Sequence, residues 1–257
     1  MMEFIDTHAH LYDEVYLGDQ SQVITQSIQA GVTKILLPNI DANSIEPMLA
    51  LEDQHPTLCA AMIGIHPCYI KEDFQQQLYQ VESWLNKRPF IAMGEVGMDL
   101  YRDTTYQNLQ REALEIQLNW ARQYNLPIVI HTRQAFRETI QILEKHQDGS
   151  LRGVFHCFSG TLDEATQVLA LGFHLGIGGI ITFKNAGLAE LIAKIDLQHL
   201  VLETDSPYLA PVPYRGKRNE PTYIPYIAAA IALNKQIAVE TVASVTTANA
   251  KKVFGIK

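Results

Sequence analysis

Short apolar or β-branched runs recur along the chain, and each is followed by a longer stretch whose apolar positions return every three or four residues. The short runs cover residues 4–8, 34–39, 58–66, 90–95, 127–131, 153–156, 174–178 and 200–205 and predict strands. The stretches between them predict helices over 20–30, 42–54, 73–86, 106–124, 134–146, 161–171, 186–195 and 222–234, with a last helix over 238–254. In 106–124, Leu109, Ala113, Ile116, Leu118 and Trp120 alternate with Gln, Arg and Glu, the pattern of an amphipathic helix, and Pro127 follows its end. In 161–171, Thr161 can cap the helix, Glu164 stands three residues on as in a capping box, and Gly172 ends it. Eight strand-then-helix units predict an α/β fold with a parallel sheet, and eight of them favour closure into a (β/α)8 TIM-type barrel over an open doubly wound sheet.

No Gly/Ser-rich, Pro-rich or low-complexity tract divides the chain, so the pattern predicts one domain over 1–257. A single barrel commonly takes about 250 residues, which agrees. The long irregular stretch at 206–221 would follow the eighth strand on the rim of the barrel, and a loop of that length in a compact domain is usually functional.

Composition narrows the class of partner. The formal net charge is −8, which disfavours a broad basic face wrapping duplex nucleic acid but leaves room for local capture of a phosphate. Three cysteines, Cys59, Cys68 and Cys157, lack metal or redox spacing, so no disulfide framework is expected and a reducing compartment is. There is no apolar run near the roughly 18 residues that span a bilayer and no basic-then-apolar leader at the N-terminus. The expectation is a cytoplasmic protein, monomeric or a small oligomer, with no membrane association.

The chemistry sits at the predicted strand ends. His8 and His10 form an H-x-H pair at the end of the first strand, and residues two apart on a strand point to the same side. Glu95 ends the fourth predicted strand, His131 the fifth, His156 the sixth and Asp205 the eighth. The C-terminal ends of barrel strands converge on one pocket, so residues spread through the chain could meet there. Imidazoles with carboxylates suit zinc, manganese or iron, and this set exceeds what one tetrahedral ion needs. Glu95 is the natural carboxylate to bridge two ions. His55, His146, His174 and His199 fall at helix ends or strand starts, away from that rim. His66 ends the third predicted strand and could be a ligand, a phosphate donor or a proton-transfer group, the second being favoured. Cys157, next to His156, should face the core.

The segments Ile5-Asp6-Thr7-His8-Ala9-His10, Gly64-Ile65-His66-Pro67, Gly94-Glu95-Val96-Gly97-Met98-Asp99, Ile130-His131-Thr132-Arg133, Phe155-His156-Cys157-Phe158-Ser159-Gly160 and Leu202-Glu203-Thr204-Asp205-Ser206-Pro207 resemble the signatures of TatD-family deoxyribonucleases. The run Arg215-Gly216-Lys217-Arg218-Asn219-Glu220-Pro221 is similar to that family's late loop, so the resemblance spans residues 4–221. It implies an amidohydrolase-like barrel holding two or three divalent ions and hydrolysing DNA phosphodiesters, often from an end. The family's ligand roles fall on His8, His10, Glu95, His131, His156 and Asp205. Met98 stands where leucine is more usual, a conservative change. Related barrels bridge their metals with a carbamylated lysine on the fourth strand, where Glu95 stands here.

On this reading zinc, magnesium or manganese activates water, and Asp205 is the candidate general base with Glu95 beside it. Arg133 and His66 would donate to phosphate oxygens, while Arg215, Lys217 and Arg218 would steer a DNA strand end, single-stranded or frayed, into the pocket. Glu203, two residues before Asp205, is a candidate to support the ligands or to hold a third ion. Two other readings stand beside it. One is a small-molecule amidohydrolase or esterase acting on a cyclic amide, ester or lactone, since fold does not fix substrate. The other is a non-catalytic binding module with a relic site, which completeness of the ligand set disfavours.

Overall fold

The repeating strand–helix pattern becomes eight parallel strands with helices on the connections, in a computed structural model that describes residues 2–257. The strands are β1 (Phe4–Asp6), β2 (Val32–Leu37), β3 (Cys59–Ala61), β4 (Met93–Asp99), β5 (Ile128–Arg133), β6 (Gly153–Phe155), β7 (Phe173–Ile177) and β8 (Leu200–Leu202). The helices are α1 (Gln20–Gln29), α2 (Ile45–Gln54), α3 (Phe74–Leu85), α4 (Gln107–Gln123), α5 (Phe136–His146), α6 (Leu162–Ala170), α7 (Leu188–Lys194), α8 (Ile224–Lys235) and α9 (Val239–Phe254).

Hydrogen bonding gathers β1-β2-β3 in one sheet and β4 through β8 in another, all neighbours parallel. Two seams join the sheets through irregular backbone pairing. Ala9 pairs with Ser206 beyond β1 and β8, and the Thr7 N–H donates to the Leu202 carbonyl at 3.0 Å. At the other seam Ile63 pairs with Met93, and the Gly94 N–H donates to the Ile63 carbonyl at 2.9 Å. The strand order is that of the expected (β/α)8 barrel, with the regular ladder interrupted at these seams.

The side-chain alternation of the strands separates two apolar layers. Ile5, Leu36, Ala60, Met62, Val129, Val154 and Val201 form an inner cluster, and Ala250, Val253 and Phe254 of α9 close it from below. Their sequence neighbours, such as Phe4, Ile35, Leu37, Ile130, Phe155 and Leu202, join the outer cluster packed under the helices.

Three expectations need correction. β4 does not stop at Glu95 but runs to Asp99, because residues 96–99 keep pairing with β5 as far as Asp99 opposite Arg133. Gly97 permits this closeness: at φ +149° it lies so near β5 that a Cβ there would collide with the His131 carbonyl. β5 likewise continues past His131 to Arg133. Conversely β1, β3, β6 and β8 are shorter than their apolar runs, so His8, His66, His156 and Asp205 stand on the loops just beyond.

The buried stripe of α4 is also different. Gln110, Ala113, Leu114, Gln117, Leu118 and Ala121 face inward, whereas Leu109, Ile116 and Trp120 are only partly covered. The buried glutamines belong there because their amides satisfy loop backbone. Gln110 accepts from the Asp99 N–H at 3.0 Å and donates to the Asp99 carbonyl at 3.1 Å; Gln117 accepts from the Ile65 N–H at 2.8 Å. The capping box at α6 forms as expected, with the Glu164 N–H donating to Thr161 Oγ1 at 3.2 Å and the Thr161 N–H to the Glu164 carboxylate at 2.6 Å.

Candidate metal centre

The inner apolar layer predicts where the polar site begins. Counting upward by two from Met62, Val129, Val154 and Val201 gives His66, His131, His156, Glu203 and Asp205, so these side chains continue the inward row. Glu95 joins the row through the register shift between Met93 and Val96. His8 and His10 stand past β1 on either side of Ala9, whose bridge to Ser206 keeps that stretch extended, and so they share one side.

The predicted ligand groups meet around Glu95, which is buried. Its Oε2 lies 3.2 Å from His8 Nε2 and 3.8 Å from His10 Nε2. Its Oε1 lies 2.8 Å from His156 Nε2, 2.9 Å from His131 Nδ1 and 3.5 Å from His66 Nε2. Asp205 Oδ1 approaches His10 Nε2 at 3.6 Å and His8 Nε2 at 3.7 Å. Each oxygen of one carboxylate therefore faces its own set of imidazoles.

The donor set fits divalent ions. Two groups, His8–His156–Asp205 and His8–His10–Glu95, each bring their ligand atoms within 4.8 Å of one another, as does a third, His66–Glu95–His131, in which His66 serves as a hydrogen-bond donor. His8 and His10 turn their Nε2 atoms toward each other at 3.3 Å. A tetrahedral ion with bonds of about 2.0–2.1 Å separates its ligands by about 3.3 Å. Two imidazole lone pairs pointed at one another are repulsive unless a cation or proton lies between them.

Hydrogen bonds on the outer ring nitrogens set the tautomers. Tyr12 donates its hydroxyl to the Pro38 carbonyl at 2.6 Å, so at 3.2 Å it accepts from His10 Nδ1 and leaves the His10 Nε2 lone pair free. His66 is the reverse. Its Nδ1 accepts from the Cys68 N–H at 3.1 Å, so Nε2 carries the proton and is a donor. This separates His66 from the ligands it sits among. His131 turns Nε2 to Asp99 Oδ2 at 3.0 Å and Nδ1 to Glu95.

Burial pulls the Glu95 carboxyl upward, but His156, His66 and His8 outweigh it and hold the group well below the usual carboxylate range. His156 moves the opposite way: burial lowers it, and Glu95 and Glu203 raise it well above an ordinary histidine. Burial lowers His66 to about 3, with Glu95 opposing. Asp205 is opposed by burial yet held low by its bond to His10 and by His156. Glu203 is fully buried, accepts from the Cys157 N–H and lies 3.5 Å from His156 Nδ1; its Oε2 has no partner among the described residues. Burial drives the Cys157 thiol well up, which removes it as a nucleophile.

Two contributors escaped the sequence reading. Asp99 supports His131, and its burial is outweighed by that contact and the Tyr101 N–H, which bring its carboxyl to about 2. The strand parity of 95, 97 and 99 carried the signal, hidden because the predicted strand stopped at Glu95. Asp6 accepts from the Thr204 hydroxyl at 2.6 Å, the Thr204 N–H at 2.9 Å and the His8 N–H at 3.2 Å, tying the loop of His8 to that of Asp205. Burial raises it to about 7.

The basic residues divide. The Arg133 guanidinium lies 3.7 Å over the Tyr101 ring and Arg215 4.4 Å over Phe183, and neither pairs with an acid among the described residues. Lys217 is 5.9 Å from the Tyr214 ring. Arg218, expected to steer substrate, is instead committed to Asp19 at 2.6 Å and 2.8 Å and to Glu220 at 2.9 Å. Its fork fits two carboxylates that the fold brings beside it, so it anchors the 206–220 loop to the start of α1. Asn219 holds the same loop through the Thr204 and Tyr208 carbonyls, each at 2.6 Å. His146 lies by Glu115, and His174 and His199 lie together at the other end of the strands. No helix among the described residues is long and apolar enough to cross a membrane.

YabD of Bacillus subtilis, a metal-dependent hydrolase, is 36% identical across 98% of this chain and 98% of its own. The 3′-5′ ssDNA/RNA exonuclease TatD of Pantoea ananatis is 31% identical across 98% of this chain and 99% of its own. The crystal structure of YjjV, a TatD homologue from Escherichia coli, superposes with a TM-score of 0.93 at 30% identity, covering 99% of this chain and 98% of that one. A phosphotriesterase homology protein from Escherichia coli shares the fold with a TM-score of 0.75 at 13% identity, covering 98% and 99% of the two chains. The profile described as TatD related DNase matches residues 5–255, and the chain belongs to this family of metal-dependent hydrolases.

Proposed function

We propose that this protein is a metal-dependent deoxyribonuclease that removes nucleotides from the 3′ end of single-stranded or frayed DNA. The observation that carries the reading is the division of the Glu95 carboxylate between two imidazole sets, with Asp205 alongside and the unpaired fork of Arg133 on the rim. The exonuclease name of the Pantoea relative supports the choice of substrate.

By their distances to the two Glu95 oxygens and to Asp205, His8, His10 and Asp205 would hold one ion and His131 and His156 a second, with Glu95 shared, His156 also within reach of His8 and Asp205, and Glu203 beside His156 as support or a third-ion ligand. Bound zinc, magnesium or manganese supplies Lewis acidity toward a phosphoryl oxygen and acidifies water at neutral pH. Asp205, kept ionised by its histidine neighbours, takes the proton of the attacking water. The water oxygen bonds to phosphorus, the P–O3′ bond breaks, and the departing 3′ oxygen gains a proton from solvent. His66, with Nδ1 already occupied, presents its Nε2–H to a phosphate oxygen. Arg133 offers a planar fork to the same group. The products are a 5′-mononucleotide and a strand one residue shorter.

The test uses chelator-treated protein, an end-labelled single strand, and magnesium, manganese or zinc added back in turn. The expected result is a ladder shortening from the 3′ end, dependent on metal and absent with folded Asp205→Ala protein. Metal-loaded protein that cleaves no strand, yet is inhibited by a cyclic amide and not by a mononucleotide when assayed on esters, would replace this reading with a small-molecule amidohydrolase.

A further inference from the structure

The tyrosines of this chain differ in what their hydroxyls do. Tyr12, Tyr16, Tyr106 and Tyr124 donate to Pro38, Asn219, Glu72 and Asn86, and Tyr214 pairs with Tyr226. Tyr69, Tyr79, Tyr101, Tyr208 and Tyr223 bond to no described residue through their hydroxyls; Tyr79 lies on α3 and Tyr223 stacks on Tyr214, which leaves Tyr69, Tyr101 and Tyr208, 39%, 48% and 55% exposed. These three come from separate loops, after β3, β4 and β8, yet each is tied by its backbone N–H to a residue of the metal centre. Tyr69 donates to the His66 carbonyl at 2.9 Å, Tyr101 to Asp99 Oδ1 at 2.9 Å, and Tyr208 to the Asp205 carbonyl at 2.8 Å. The Tyr69 ring centroid is 6.1 Å from that of His66, and Tyr208 is 6.1 Å from His10. Tyr101 lies beneath the Arg133 guanidinium.

We propose that Tyr69 and Tyr208 are stacking platforms for unpaired nucleobases at the end of a strand, while Tyr101 holds Arg133 edge-on toward the phosphate between them. The proposal rests on the nuclease reading above and adds the basis of strand selection. Exposed rings fixed at the backbone beside a buried ionic centre contribute little to packing, but they offer flat apolar faces at the mouth. Every base has a π-face, so such platforms accept any sequence provided the base is unstacked from its own helix. A duplex end must first fray. The net charge of −8 points the same way, because it disfavours a broad basic face that would draw most of the affinity from phosphate neutralisation. Affinity for a single strand should therefore depend only shallowly on salt.

The deciding experiment measures binding of a short phosphorothioate-linked single strand, which resists cleavage, carrying 2-aminopurine as its terminal 3′ base. Tyr69→Leu and Tyr208→Leu are each expected to weaken binding about 10- to 100-fold and to relieve the 2-aminopurine quenching. Tyr69→Phe and Tyr208→Phe, which keep the ring, are expected to bind like the parent protein. On a strand whose terminal nucleotides are abasic, the penalty of the leucine variants should vanish. Leucine variants that bind like the parent, or that lose equally on the abasic strand, would overturn the proposal, as would a parent protein that binds no strand. Cleavage of an unmodified strand is followed in parallel. Ring-dependent binding without cleavage refutes the nuclease and keeps the platforms; cleavage without ring dependence does the reverse.

Discussion

Glu95 is a carboxylate buried among five imidazoles, and Asp99 decides how one of them presents itself. Asp99 engages His131 Nε2 and is itself gripped on both sides of its backbone by Gln110. Outer partners of this kind fix ring orientation, and their loss typically lowers metal affinity by about 10- to 100-fold. Asp99→Asn should therefore weaken metal binding by that factor in a chelator competition assay while the far-ultraviolet spectrum stays unchanged; undiminished affinity would remove Asp99 from the centre. Arg218→Ala makes the opposite kind of change. It should lower the thermal midpoint by freeing the 206–220 loop and leave KM within about twofold, whereas Arg133→Ala should raise KM. The H-x-H pair and the acids were readable because few structural roles place such residues at successive strand ends. Asp99, Asp6 and the engagement of Arg218 were not, since each depends on contacts between distant segments, up to 199 residues apart for Arg218 with Asp19.

Among elements, the helices matched their predicted limits more closely than the strands did. Caps are local: Thr161, Glu164 and Gly172 specify the ends of α6 without reference to the rest of the chain. Thr161→Ala should cost about 1 kcal/mol, read as a lower urea midpoint at unchanged slope. Strand ends are set by partners instead. β4 continues past its apolar run because β5 is there to pair with, and α4 buries two glutamines because loop amides await them. His174 at the start of β7 shows the element responding to pH. Burial first, then His199 and Lys252, lower it from 6.5 to about 4. The unfolded chain then binds the proton more readily, so this group's contribution to stability is complete above about 6.5 and declines as pH falls toward 4. A urea midpoint followed over that range should fall less steeply in His174→Leu protein than in the parent.

At the scale of the molecule, strand alternation puts an apolar plug inside the strands, closes it with α9 below and places the ionisable residues above. The eight-unit pattern was legible because its period is short and repeats. The two seams were not, because they rest on backbone bonds between loop segments that look ordinary in sequence. Ions bound as proposed would bridge loops from both sheets and brace these seams, since a ligand that binds only the folded state stabilises it. Chelation should therefore lower the thermal midpoint, with recovery on adding metal back.

The proposed sharing of Glu95 between two ions that together support hydrolysis is tested most directly by metal stoichiometry set against turnover. Reconstituted parent protein should hold about two ions per chain and degrade single-stranded DNA, as a bridged two-ion centre requires. Folded Glu95→Ala protein should hold fewer and lose most turnover. Equal metal content in the two proteins, or a Glu95→Ala protein as active as the parent, would contradict the account.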